Sequence, residues 1–233
     1  MKKDPLLRGK INTKALSQIN KDIEELSPHP KKVKIIAVTK NFSFSAVEEA
    51  FKYNIINIGE NKIQEFEQKQ KNKTIPRETT THFIGRLQRN KAKKAVRLFN
   101  IIQSIDSLKI AEKVNKEAEK IQKKQKIYLQ INIAEDPAKQ GFREEEIYGA
   151  CKKIKEMKNL AVLGTMTIIA QEQNKKRKKT LFQKITKITK KIQTKHFSTC
   201  LEMSMGMSQD YKEALECGAT SIRVGTKLYG KRT

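Results

Sequence analysis

Arginine is scarce in this chain. It supplies nine of the 50 basic residues, so a formal charge of +25 over 233 residues is carried almost wholly by lysine. A protein that reads guanine or grips phosphates bidentately leans on the arginine fork, and that shortage argues against a specific nucleic-acid partner. The lysines are also dispersed, recurring at Lys69–Lys73, Lys113–Lys126, Lys152–Lys158 and Lys175–Lys195. We read them as enrichment at solvated positions, leaving only a general attraction for polyanions. Cysteine is equally sparse: Cys151, Cys200 and Cys217 are an odd number without metal-ligand spacing, which implies reduced, packed thiols and no metal site. Met1 to Lys10 lacks the apolar stretch of a secretory signal, and no run reaches the length of a membrane span. The expectation is a cytoplasmic protein that makes no membrane contact. With no linker, repeat or second core in view, residues 1–233 are expected to form one domain.

What is present is a rhythm. Ile11 to Leu26 carries apolar residues at helical spacing, and Ser27-Pro28-His29-Pro30 stops it. Val33 to Lys40 is a short, β-branched apolar run that ends on a lysine. Ser43 is placed to cap a helix through Phe51. Ile55 to Ile58 reads as a second strand, and Gly59-Glu60-Asn61 as the opening of the next helix. Further strands are expected at His82–Ile84, Asn100–Ile105, Ile127–Ile133, Leu160–Leu163, Thr199–Met203 and Ser221–Val224. The intervening helices cover Gln88–Leu98, Ser107–Gln122, Glu144–Met157, Lys175–Lys195 and Ser208–Cys217. Eight strands alternating with helices predict an α/β protein, a (β/α)8 TIM barrel with an extra N-terminal helix.

In such a barrel the chemistry lies just after the strands. The residues falling there include Lys40, Asn61, His82, Gln88, Ser104, Asp106, Asn132, Met166, Ser204, Arg223, Gly225 and Thr226. From residues alone, Lys40 is either a solvated strand-end lysine or an amine whose charge is disfavoured beside an apolar strand, free to attack an aldehyde. His82 is either a satisfied core histidine or a catalyst, and Gly225-Thr226 either a simple turn or one side of a phosphate site. A lysine at one end of the mouth and a phosphate cradle at the other describe a pyridoxal-phosphate site.

The segments Ile36-Ala37-Val38-Thr39-Lys40, Gly59-Glu60-Asn61, His82-Phe83-Ile84-Gly85 and Leu87-Gln88 occur in order with Asn90-Lys91, Ile131-Asn132-Ile133, and Lys139 with Gly141. They are followed by Met203-Ser204-Met205-Gly206-Met207-Ser208 and Arg223-Val224-Gly225-Thr226 before Tyr229-Gly230. Together they resemble the YggS/PROSC-type pyridoxal-phosphate homeostasis proteins, single-domain relatives of the alanine racemase barrel. The resemblance runs from residue 33 to the end.

It implies that Lys40 holds pyridoxal 5'-phosphate as a Schiff base, that Asn61 lies beside the ring and that Arg223 approaches the pyridine nitrogen. Ser204, Gly225 and Thr226 would hold the phosphate, with Met205 and Ser208 nearby. It further implies a monomer that buffers the cofactor or delivers it to cofactor-free enzymes, with no catalytic residues of its own. The alternative is a small amino-acid racemase or lyase using the same lysine. Racemases of this barrel carry a second domain that supplies an opposing tyrosine, and Tyr229 reads as a packed residue. Arg86, Arg89 and Thr165 depart from the family pattern.

Overall fold

Asn12 starts the first helix by accepting a hydrogen bond from the Ala15 amide through Oδ1 at 3.1 Å, and the predicted apolar stripe then buries Leu16, Ile19 and Ile23 on α1 (Thr13–Leu26). The computed structural model describes residues 9–71, 73–169 and 174–230, so most of the Met1 to Lys10 stretch lies outside the described residues. After α1 come β1 (Lys34–Val38), α2 (Ser45–Lys52), β2 (Asn57–Glu60), α3 (Ile63–Gln70), β3 (Thr80–Phe83) and α4 (Ala92–Leu98). They continue as β4 (Ile101–Ile105), α5 (Leu108–Glu119), β5 (Gln125–Gln130), α6 (Glu144–Lys155), β6 (Leu160–Met166) and α7 (Lys175–Lys195). The chain closes with β7 (Glu202–Met207), α8 (Tyr211–Glu216), β8 (Ser221–Val224) and α9 (Thr226–Tyr229).

The eight strands are parallel and the sheet closes on itself. β1 pairs with β2 on one side and β8 on the other, so Ile36 lies between Asn57 and Arg223. This is the expected (β/α)8 barrel. Its core lies between strands and helices: α7 turns Phe182, Ile185, Ile188 and Ile192 inward and leaves most of its lysines outside, Lys178 excepted. Phe99, just after α4, stacks on Phe66 of α3 with ring centroids 4.7 Å apart. Full burial of each such ring contributes about 1.5–3 kcal/mol.

Three local expectations are corrected. Ser43 does not cap α2: the helix begins after Phe44 without a side-chain cap, and the Ser43 hydroxyl meets the Ser45 hydroxyl at 2.7 Å. Ser107, where the sequence pattern starts the predicted helix with a cap-type residue, likewise gives α5 no cap bond and donates to Asp106 instead. Strands β2 and β7 begin two or three residues later than the apolar runs indicated. β2 runs through Gly59 and Glu60, whose backbone pairs with β3 at His82 and Phe83, and buried Lys69 meets the glutamate's charge, while Ile56 is left exposed. In β7 the alternation from Met203 to Met207 is itself the strand, and Leu201 before it is 60% exposed.

Candidate functional site

At the carboxyl ends of the strands lies a cavity of about 920 Å³. Lys40 reaches it from the turn after β1, Asn61 from the end of β2, Arg86 from beyond β3, Ser208 from beyond β7, and Arg223, Gly225 and Thr226 from β8 and the corner that follows. Six of the eight predicted site residues therefore converge on one cavity. Ser204 and Met205 do not line it. They lie within β7, where side chains alternate: Met205 packs outward into the hydrophobic core and Ser204 points into the barrel, each wholly buried.

The lysine sits on a tight turn. The Phe42 amide donates to the Thr39 carbonyl at 3.1 Å, and Asn41, with φ 64°, takes the third position where a left-handed residue is needed. Asparagine tolerates that conformation better than most side chains. On the neighbouring strand Asn61 is held by close backbone approach: a Cβ on Gly85 would lie 2.1 Å from the Asn61 carbonyl oxygen, so only glycine lets the segment after β3 close over it. The Asn61 Oδ1 is buried and has no hydrogen-bond partner within the protein. Such an acceptor is an unspent polar group.

Arg223 is held from behind. Its Nη1 donates to Ser204 Oγ at 2.7 Å and its Nη2 to the Thr167 carbonyl at 2.7 Å. Ser204 in turn donates to Gln103 Oε1 at 2.7 Å, and the Gln103 amide nitrogen lies 2.9 Å from His82 Nδ1. An amide nitrogen can only donate, so His82 Nδ1 accepts and the ring proton sits on Nε2, 3.1 Å from Asn57 Oδ1. The result is a chain of donors running one way across the barrel, from Arg223 through Ser204, Gln103 and His82 to Asn57. Burial, with Lys34 adding repulsion, pushes His82 down to about 3, which keeps the imidazole neutral and suited to this chain. Burial also lowers Arg223, to about 10, which still leaves a cation at neutral pH. His82 is thus a satisfied core histidine.

The corner after β8 is built on glycine. Gly225 precedes α9, its carbonyl accepting from the Leu228 and Tyr229 amides at 2.9 Å each, and the Lys227 amide donates to Ser208 Oγ at 3.3 Å. Gly206 has φ 88°, and a Cβ there would lie 2.6 Å from that of Ala214, which lets α8 fold tightly under β7. The half-turn beyond is pinned by Asp210, which accepts from the Met207 amide at 2.5 Å. Tyr229 is buried, donates to the Ala46 carbonyl at 2.8 Å and is pushed above the usual phenol range by burial.

Two of the other noted positions serve the scaffold. Asn132 ties its own loop through Asp136 and Lys139 carbonyls, and Met166 packs beside Tyr128. Gln103 and Thr167 were missed. A glutamine inside the apolar run Ile101-Ile102-Gln103-Ser104-Ile105 was the available signal, because a polar group on a fully buried strand must find partners. Lys178, Asp210 and Lys227 also border the cavity, reaching it from helices and loops whose approach no local pattern reveals.

Residues 11–233 match the family of the alanine racemase N-terminal domain. A pyridoxal phosphate homeostasis protein of Synechocystis is 36% identical over 209 residues, covering 90% of this chain and 96% of that one. The structure of PipY from Synechococcus elongatus with PLP bound superposes with a TM-score of 0.82 at 30% identity, covering 93% of this chain and 99% of PipY. An alanine racemase of Clostridium difficile shares the barrel at a TM-score of 0.78 and 16% identity, the match covering 100% of this chain and 63% of the racemase.

Proposed function

Because the chain belongs to the pyridoxal phosphate homeostasis proteins, built on the alanine racemase N-terminal domain, we propose that it holds pyridoxal phosphate at the barrel mouth through Lys40. In this reading residues 1–233 act as one cytoplasmic unit, a monomer that buffers the cofactor or hands it to cofactor-free enzymes and turns over no substrate. The observation that carries it is the convergence of an amine, a guanidinium, hydroxyls and the buried, unpartnered Asn61 Oδ1 on a single cavity.

The donor set fits the group. When bound, the cofactor supplies an aldehyde for a lysine amine and an electron-withdrawing ring. Lys40 is the attachment point on a turn whose shape is set by Asn41. Asn61 would offer its amide to the bound group, and Ser208, Gly225 and Thr226 would provide hydroxyls and backbone for a phosphate. Ser204 acts one step back, by orienting Arg223. Arg223 stays charged at neutral pH and is too weak an acid to give up one of its protons, so it would not protonate a ring nitrogen. That supports binding without turnover. So does Tyr229, whose hydroxyl is committed to a carbonyl. Among the described residues lining the cavity there is no tyrosine, histidine or cysteine, and the side chains there that could move a proton besides Lys40 are Lys178, Asp210 and Lys227.

The test is an absorption spectrum of the wild type and Lys40→Ala on adding pyridoxal phosphate, then borohydride, with peptide mapping. A visible band in the wild type alone, with the cofactor fixed to Lys40, supports the reading; no band in the wild type overturns it. Exchange of amino-acid α-protons for deuterium at enzymic rates would replace binding without turnover by the racemase or lyase alternative.

A further inference from the structure

The two peptide bonds that flank Lys40 are both held by one buried ionic cluster. Lys69 of α3 has a side chain only 1% exposed, and its Nζ donates to the Thr39 carbonyl at 2.7 Å and to Glu60 Oε1 at 2.6 Å. The same ammonium pairs with Glu65 Oε1 at 2.9 Å. Glu65 accepts a hydrogen bond from the Asn41 amide, and Thr39 Oγ1 donates to Glu60 Oε1 at 2.6 Å. The carbonyl before Lys40 and the amide after it are therefore gripped by two residues of α3, Lys69 and Glu65, while Glu60 of β2 holds Lys69 and the Thr39 hydroxyl.

Stability alone is a poor reason for this arrangement. Glu60 is wholly buried, its Oε2 has no partner, and burial raises its carboxyl above the ordinary range. Removing a carboxylate and an ammonium from water costs more than a pair of this kind generally returns, and packed apolar residues often serve stability as well. What apolar residues could not do is hold a carbonyl and an amide at set positions around a left-handed residue. A lysine side chain has four flexible carbons, so the place its amine reaches depends first on where its backbone is anchored.

We propose that Glu60, Glu65 and Lys69 are positioning residues for Lys40, fixing the turn that aims its amine into the cavity. This rests on the reading of Lys40 as the cofactor lysine. Glu65 is the most informative position, because glutamine keeps an acceptor for the Asn41 amide and leucine does not.

The experiment compares full-length wild type, Glu65→Gln, Glu65→Leu and Lys69→Met. Three quantities are read: thermal midpoint, affinity for pyridoxal phosphate from the visible band, and the rate at which a small amine-acylating reagent labels Lys40 in cofactor-free protein. Glu65→Leu is expected to fold and to bind at least about tenfold more weakly, equivalent to ~1.4 kcal/mol, with an altered Lys40 labelling rate. Glu65→Gln should restore both. Lys69→Met should behave as Glu65→Leu; if it does not fold, the Glu65 pair decides. A folded Glu65→Leu with wild-type affinity and labelling, or a Gln variant as impaired as the Leu variant, overturns the proposal. Absence of a band in the wild type would instead refute the cofactor reading, and the labelling rates would still decide whether the cluster positions Lys40.

Discussion

Arg223 reaches across the seam between β8 and β7 to donate to Ser204 at 2.7 Å, and this contact fixes how a buried guanidinium meets the cavity. Ser204 is the hinge of the polar chain, because its one hydroxyl accepts from Arg223 and donates to Gln103. The consequences can be measured residue by residue.

Ser204→Ala leaves Gln103 Oε1 and one guanidinium N–H buried without this partner. We expect a loss of about 1–3 kcal/mol in urea unfolding, and weaker pyridoxal phosphate binding although Ser204 lines no part of the cavity. Unchanged affinity would remove Ser204 from the orientation of Arg223.

Asn61→Ala should separate binding from stability. Its Oδ1 has no partner in the protein, so the unfolding free energy should stay within about 0.5 kcal/mol of wild type while cofactor affinity falls. Spectral titration beside thermal melting reads both.

Two glycines should respond in opposite directions. Gly85→Ala places a Cβ 2.1 Å from the Asn61 carbonyl oxygen; the backbone must move, costing about 1–3 kcal/mol and displacing Asn61. Gly149→Ala lies inside α6, where the new methyl meets nothing within 4 Å, and should stabilise by about 0.5–1 kcal/mol. Chemical denaturation of the two variants checks the pair.

The fold should lose stability in acid partly through His82. Its folded value is depressed to about 3 from 6.5 by burial, so the unfolded chain takes up this proton first. The contribution is fully present above pH 6.5 and lost as pH falls towards 3. Urea unfolding across that range should show a shallower pH dependence for His82→Gln than for wild type, and equal slopes would contradict the buried neutral histidine.

Local pattern carried the architecture a long way. Helix α7 and strand β8 match the predicted Lys175–Lys195 and Ser221–Val224, because amphipathic spacing and a short apolar run are properties of neighbouring residues. Lys40, Asn61, Arg223 and Gly225-Thr226 could be nominated from the sequence for a related reason: in a barrel of alternating strands and helices, strand ends share one face wherever they fall in the chain. Closure of the barrel decided the rest. Ser204 and Gln103 are 101 residues apart, and the charge of Glu60, buried at the end of β2, is met by Lys69 folding back from α3. Periodicity reports which way a side chain faces along its own element. Which buried polar groups satisfy one another is set by how separate elements pack, across the barrel for the Arg223 chain and between neighbouring strand and helix for the clamp around Lys40, and so both exist only in the tertiary structure.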